Sequence, residues 1–220
     1  AQKKIEGRNF SIRKNVLEYD DVMNTQREII YEQRRDVLNT ENISEIVFKL
    51  ANAKIEKIVS SYVAQAQNLD DIDFESMNAV LKNIFGRDNI VVKDEVESLE
   101  VDYFINMIEE KVKAIYAENH KEAIALQKDY IINNFEKMIV LKTVNDKWID
   151  HIDAISDLKE GIGLRAYAQT NPLEAYKIEC YNMFEELVDS IQEDATKAVF
   201  SIKMKKEEDM QKLNIGKEKI

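Results

Sequence analysis

The chain has 220 residues, 45% of them apolar, but only five glycines and one proline. Strand-rich folds need turn residues at each strand end, so this count excludes a sandwich, a barrel or an α/β architecture and leaves a mostly helical chain. A net charge of −11 argues against a dedicated nucleic-acid surface, and the single Cys180 excludes an internal disulfide or a thiolate zinc cluster.

The first predicted element is one long helix over residues 8–38. Ile12, Val16, Tyr19, Met23, Gln26, Ile30, Gln33 and Val37 recur at alternate spacings of four and three, as in a heptad seam. One register (Val16, Met23, Ile30, Val37) is apolar throughout, while the other turns polar at Gln26 and Gln33. Leu17, Ile29 and Leu38 widen the apolar area.

Residues 41–128 are more acidic, at net −7 against +1 for residues 1–40. Ile43, Val47, Leu50, Ile55, Ile58 and Tyr62 predict a helix of about 25 residues by their helical spacing. Asn68 to Asn89, with Asp70, Asp71, Asp73 and Gly86, reads as a loop. A further helix is expected over Leu99–Tyr116. Together these form a small helical subdomain between longer elements.

From about Lys121 to Glu160 a second long helix is predicted. Its apolar positions include Ile131, Phe135, Met138, Leu141, Trp148, Ile152, Ile155 and Leu158. Gly161 and Gly163 are expected to stop it. After a ten-residue loop, Asn171 as cap, Pro172 in the first turn and Glu174 three residues past the cap signal a new helix. Leu173, Tyr176, Cys180, Met183, Leu187 and Ile191 carry it to about Phe200, which makes an antiparallel helical hairpin. Val16, Met23 and Ile30 are expected to share one core with Trp148, Ile152 and Leu187. The charged tail 203–220 has only scattered apolar residues and is expected to be frayed.

No catalytic constellation emerges. No glycine pair has the spacing of a phosphate-cradling GxxxxGK loop, and Gly161-Ile-Gly163-Leu-Arg-Ala166 mimics a dinucleotide motif but follows a helical pattern where that site needs a strand. Asp146, Asp150, Asp153 and Asp157 share one helical face beside His151. The ExxH pairing of di-iron bundles is missing, because Trp148 stands three residues before His151 and Ala117 before His120, so a solvated acidic face is expected and no metal. Cys180 lies on an apolar stripe with no histidine within a turn and reads as a small buried hydrophobe. No signal peptide opens the sequence and no apolar run is long enough to cross a bilayer, so a soluble piece from a reducing compartment is expected.

Three stretches resemble a known family. Arg8-Asn-Phe-Ser-Ile-Arg-Lys-Asn-Val-Leu-Glu-Tyr-Asp-Asp21, with Gln26-Arg27 and Tyr31, resembles the central scaffold helix of SecA proteins, the bacterial preprotein-translocase motors. Leu141 to Trp148 with His151 resembles the first helix of their two-helix finger. Gly161-Ile-Gly-Leu-Arg-Ala-Tyr-Ala-Gln169, then Pro172 and Tyr176-Lys177, resembles the fingertip and second helix.

The resemblance implies an all-α fold in which a long scaffold helix packs with the antiparallel two-helix finger, plus a small helical wing. The expected division is 1–40 scaffold helix, 41–128 wing, 129–202 scaffold continuation and finger, and 203–220 charged tail. It also implies that both nucleotide-binding domains lie upstream, so that ATP and Mg belong to the full-length protein and this stretch has no cofactor of its own. Tyr167 is the implied fingertip contact to preprotein and channel, flanked by Leu164, Arg165, Ala168 and Gln169. A phenol ring suits that role because it grips any polypeptide through apolar area and one hydrogen bond. Glu18, Asp20 and Asp21 are read as a solvated face or as contacts to the motor domains. The implied partners are unfolded preprotein, the protein-conducting channel, the upstream nucleotide-binding domains and, through other regions, an anionic lipid surface. No nucleic acid is among them. The implied location is cytoplasmic, peripheral at the inner face of the cell membrane. The competing class is a free-standing helical regulator or coiled-coil adaptor, which predicts a natural start near residue 1.

Overall fold

In the computed structural model the backbone is described for residues 2–64, 66–126, 128–165 and 171–202, and side chains from residue 16 onward apart from 122, 123 and 163–165. The described residues form α1 (Gln2–Asn39), α2 (Ser44–Tyr62), α3 (Phe74–Phe85), α4 (Val101–Ala125), α5 (Asp129–Arg165) and α6 (Pro172–Phe200), with short 3₁₀ turns at Leu69–Asp71 and Lys93–Glu95. No strand occurs among them. The fold is all-α, as expected.

Two compact units divide the chain. One gathers the described residues up to Glu41 with Val140–Gln192, and the other gathers Asn42–Ile139 with the described residues from Glu193. We call them the hairpin unit and the wing unit. Residues 129–139 fall in the wing unit.

The wing unit is built around α2, which packs chiefly on α4 and also on α3. Val47, Ala51, Ile55, Ile58 and Val59 of α2 are buried at spacings of four and three. Removing each larger side chain from water contributes roughly 1.5–3 kcal/mol. The start of α2 is anchored from a distance, since the Ile43 N–H donates to Asn133 Oδ1 on α5 at 2.9 Å. This satisfies one of the donors that a helix N-terminus leaves open. At the far end of the chain, Phe85 and Phe200 meet edge to face at 5.0 Å, and Asn119 Nδ2 donates to the Phe200 carbonyl at 3.1 Å. The last turns of α6 thereby close the wing core.

Three expectations need correction here. The segment 68–89 is no simple loop, because α3 occupies its middle. Its aspartates cap. Asp73 accepts from Ser76 N–H at 2.9 Å, and Asp71 Oδ2 accepts from the backbone of Gln67 and Asn68 at 3.0 and 2.9 Å. Gly86 then ends α3 at φ 71°, a left-handed backbone that glycine adopts freely. Between cap and stop, Met77, Leu81, Ile84 and Phe85 bury one face.

Second, α5 starts at Asp129 rather than Lys121, which belongs to α4, and it runs through Gly161 and Gly163 to Arg165. A helical glycine costs only about 1 kcal/mol, and Ile162 between the two is buried in the core of the hairpin unit. Packing outweighs propensity. The next described residue is Asn171, before α6, and residues 166–170 lie outside the described residues. Third, the buried stripe at the start of α5 is Ile132, Glu136, Val140, Val144 and Trp148, while the expected Ile131, Phe135 and Met138 are exposed. A carboxylate in the stripe hid its register from a reading based on apolar spacing.

Candidate functional site

In the hairpin unit, the contacts along α1 set the direction of its partners. The Tyr19 ring packs at 4.6 Å against that of Tyr176 of α6, tilted 56° to it, and neighbouring Asp20 accepts from Lys159 Nζ of α5 at 2.9 Å. Farther along α1, Gln26 meets both His151 of α5 and the Cys180 carbonyl of α6. Moving up α1 therefore means moving down α5 and up α6. The hairpin is antiparallel and α1 lies along both of its helices.

The core between them combines Tyr19, Val22 and Met23 of α1 with Ile155, Leu158 and Ile162 of α5 and Ala175, Tyr176, Cys180 and Met183 of α6. Ile30, Trp148 and Leu187 are also buried. Val16 was expected among these and is instead 49% exposed. Among the described side chains of α1, the heptad seam enters the core from Tyr19 onward.

Gln26 is the polar break in that seam. It is only 6% exposed and faces partners on two other helices. Its Nε2 donates to the Cys180 carbonyl at 2.9 Å, and its Oε1 lies 2.9 Å from His151 Nε2. The amide oxygen accepts, so the ring carries its proton on Nε2. Burial holds the His151 ring below the ordinary imidazole range, and its neighbours are the rings of Trp148 at 5.5 Å and Phe184 at 6.0 Å. One amide side chain thus links all three helices with every polar atom matched.

Asn171 caps α6 as expected, its Oδ1 accepting from Leu173 N–H at 3.2 Å. The other implied contact residues distribute as follows. Leu164 and Arg165 are the last residues of α5, and Tyr167, Ala168 and Gln169 lie outside the described residues. Glu18 is half-buried, and Asp20 and Asp21 are exposed. Asp20 forms the exposed ion pair with Lys159, whose ammonium also stands 5.9 Å from the Tyr19 ring. Such a pair contributes less than about 1 kcal/mol. Asp146, Asp150, Asp153 and Asp157 are all exposed, and no group of three potential metal ligands occurs among the described residues. Cys180 is fully buried, and burial pushes its thiol up, so the thiolate needed for nucleophilic chemistry is suppressed. Burial, with a hydrogen bond shared with Cys180, likewise raises the Tyr176 phenol.

Sequence reasoning missed one constellation, in the wing unit. His120 and Tyr116 of α4 surround Glu136 of α5, which is 1% exposed. Tyr116 Oη donates to Glu136 Oε2 at 2.8 Å and His120 Nε2 lies 2.8 Å from Oε1. Spacing alone could have paired Tyr116 with His120 at i,i+4. The 16 residues to Glu136 span a helix break that left no such signal.

Comparison with known proteins matches residues 1–203 to the SecA Wing and Scaffold domain. The protein translocase subunit SecA of Heliobacterium modesticaldum is 38% identical over 202 residues, covering 92% of this chain and 23% of the relative. SecA 1 of Alkaliphilus metalliredigens is 40% identical over 202 residues, covering 92% and 22%. SecA of Alkaliphilus oremlandii is 40% identical over 210 residues, with the same two coverages. The chain therefore spans less than a quarter of the length of these curated relatives. With the family domain matched from end to end of the described helices, the chain belongs to the SecA family and corresponds to its wing and scaffold region.

Proposed function

We propose that this chain is a mechanical part of a protein translocase. The observation that carries the reading is the family match over residues 1–203, joined to relatives that are named protein translocase subunits. In this reading ATP hydrolysis, with its Mg, takes place in nucleotide-binding domains outside this stretch, and α1 ties those domains together through an outer face that includes Glu18, Asp20 and Asp21. The hairpin of α5 and α6 presents residues 164–169 to unfolded preprotein and to the channel, and restrains ATP turnover until transport begins. The protein works on the cytoplasmic side as a peripheral component at an anionic membrane surface. No helix among the described residues is long and apolar enough to cross a membrane, which is compatible with that placement.

The hairpin core supports a mechanical role. Three helices locked by Gln26 and by the Tyr19–Tyr176 contact give the connection at 166–171 a rigid base, and a contact residue on a rigid base transmits displacement. The test is Tyr167→Ala in the full-length protein. Preprotein transport is expected to slow far more than basal ATP hydrolysis, and Tyr167→Phe is expected to be milder because the ring remains. Unimpaired transport by Tyr167→Ala overturns the fingertip assignment. If Tyr167 acts by contact and not by packing, the same change alters stability by no more than about 0.5 kcal/mol.

A further inference from the structure

His120 is held by oxygens on both sides. Its Nδ1 lies 2.7 Å from the Tyr116 carbonyl and its Nε2 lies 2.8 Å from Glu136 Oε1. The ring also stacks on Tyr116 at 4.0 Å, so it cannot turn away from either oxygen without losing that contact. A neutral imidazole has one N–H and one lone pair. Either tautomer of a neutral ring beside an ionised Glu136 aims a lone pair at an oxygen less than 3 Å away. The geometry is satisfied only when the pair holds one more proton, between Nε2 and Oε1, while Nδ1–H donates to the carbonyl.

The surroundings favour keeping that proton. Glu136 is buried and receives a second hydrogen bond from Tyr116 Oη at 2.8 Å. Burial by itself lowers the affinity of the His120 ring, but the hydrogen bond to Glu136, the Tyr116 carbonyl and the Glu136 charge outweigh it and hold the ring above the ordinary imidazole range. Around the cluster, α2 and α6 contribute the Phe48 and Phe200 rings against Tyr116, at 4.9 and 5.9 Å. The buried ammonium of the wing unit, Lys54 on α2, pairs with Glu193 on α6 at 3.0 Å. Imidazole is the side chain whose ordinary value lies closest to neutrality, which makes the His120 ring of the clasp the group to follow there.

We propose that His120, Glu136 and Tyr116 form a proton-dependent clasp that fastens the first turns of α5 to α4 and loosens that corner when the proton is lost. Because the proton is bound more tightly in the folded chain, its contribution is fully present below the unfolded imidazole value of about 6.5 and is lost as pH rises through the folded value. The helix so fastened is continuous from Asp129 to Arg165. This inference does not depend on the translocase reading.

Amide hydrogen exchange on the 220-residue chain between pH 6 and 9, corrected for intrinsic exchange, tests it. Protection of residues 131–139 is expected to fall relative to α2 as pH rises, by about tenfold for each pH unit by which the folded proton affinity exceeds the ordinary one. Glu136→Gln should abolish this dependence, while Tyr116→Phe should preserve it because the His120–Glu136 contact remains. Wild-type protection that stays flat across the range overturns the proposal, whether or not the variants fold. So does a Glu136→Gln protein that keeps the wild-type dependence.

Discussion

The two units each bury one histidine, and the two are handled in opposite ways. In the hairpin unit His151 faces a neutral amide oxygen and two aromatic rings, so burial dominates and the ring stays neutral. In the wing unit His120 faces a carboxylate and a carbonyl, and the same burial is overcome. The difference lies in the partner rather than in the depth, since both residues are only a few per cent exposed. A buried imidazole takes its charge from the oxygens that its neighbours supply.

The largest expected effect probes the aromatic setting of His151. Trp148→Ala removes a buried ring beside it and should cost roughly 3–5 kcal/mol in denaturant unfolding. A loss below about 1 kcal/mol would show that the rings do not form the core described.

Next in size is the polar bridge. Gln26→Leu leaves the His151 N–H without a partner, takes from the Cys180 carbonyl the donor it has beyond its own helix, and should cost about 1–3 kcal/mol. Combining it with His151→Phe removes both sides of one hydrogen bond, so the pair should cost less than the sum of the single changes. Strict additivity would mean that Gln26 and His151 do not act together.

Glycine substitutions separate the units at a smaller scale. Gly86→Ala in the wing unit forces a side chain onto a left-handed backbone and should cost about 1–2 kcal/mol, although a Cβ there would touch nothing. Gly161→Ala in the hairpin unit meets open space inside a helix and should stabilise by about 0.5–1 kcal/mol. Thermal melts of the two variants that shift in the same direction would contradict these backbone assignments.

These contrasts also mark what could be read from the residues alone. α1, α2, α4 and α6 were legible because apolar residues recur at helical spacing, and Asn171-Pro172 announced the start of α6. α3 was not, because capping aspartates have the composition of a loop and only their hydrogen bonds distinguish the two. The glycines of α5 were misread for a related reason: their local preference is weak, and the burial of Ile162 that overrides it is a tertiary fact. Gln26 and Glu136 interrupt apolar stripes. Each is buried because a partner on another helix completes its hydrogen bonds, which no periodicity encodes.

The two histidines also give the units opposite responses to pH. The contribution from His151, whose affinity is lowered, is present above about 6.5 and lost as pH falls through its folded value. The contribution from His120 is present below about 6.5 and lost as pH rises. Since these are the only histidines in the chain, a nuclear magnetic resonance titration of their ring Cε1–H signals tests the account most directly. It predicts one midpoint above the ordinary imidazole value, which drops in Glu136→Gln, and one below it, which does not respond to that change. Two midpoints at the ordinary value, or His151 titrating above His120, would contradict it.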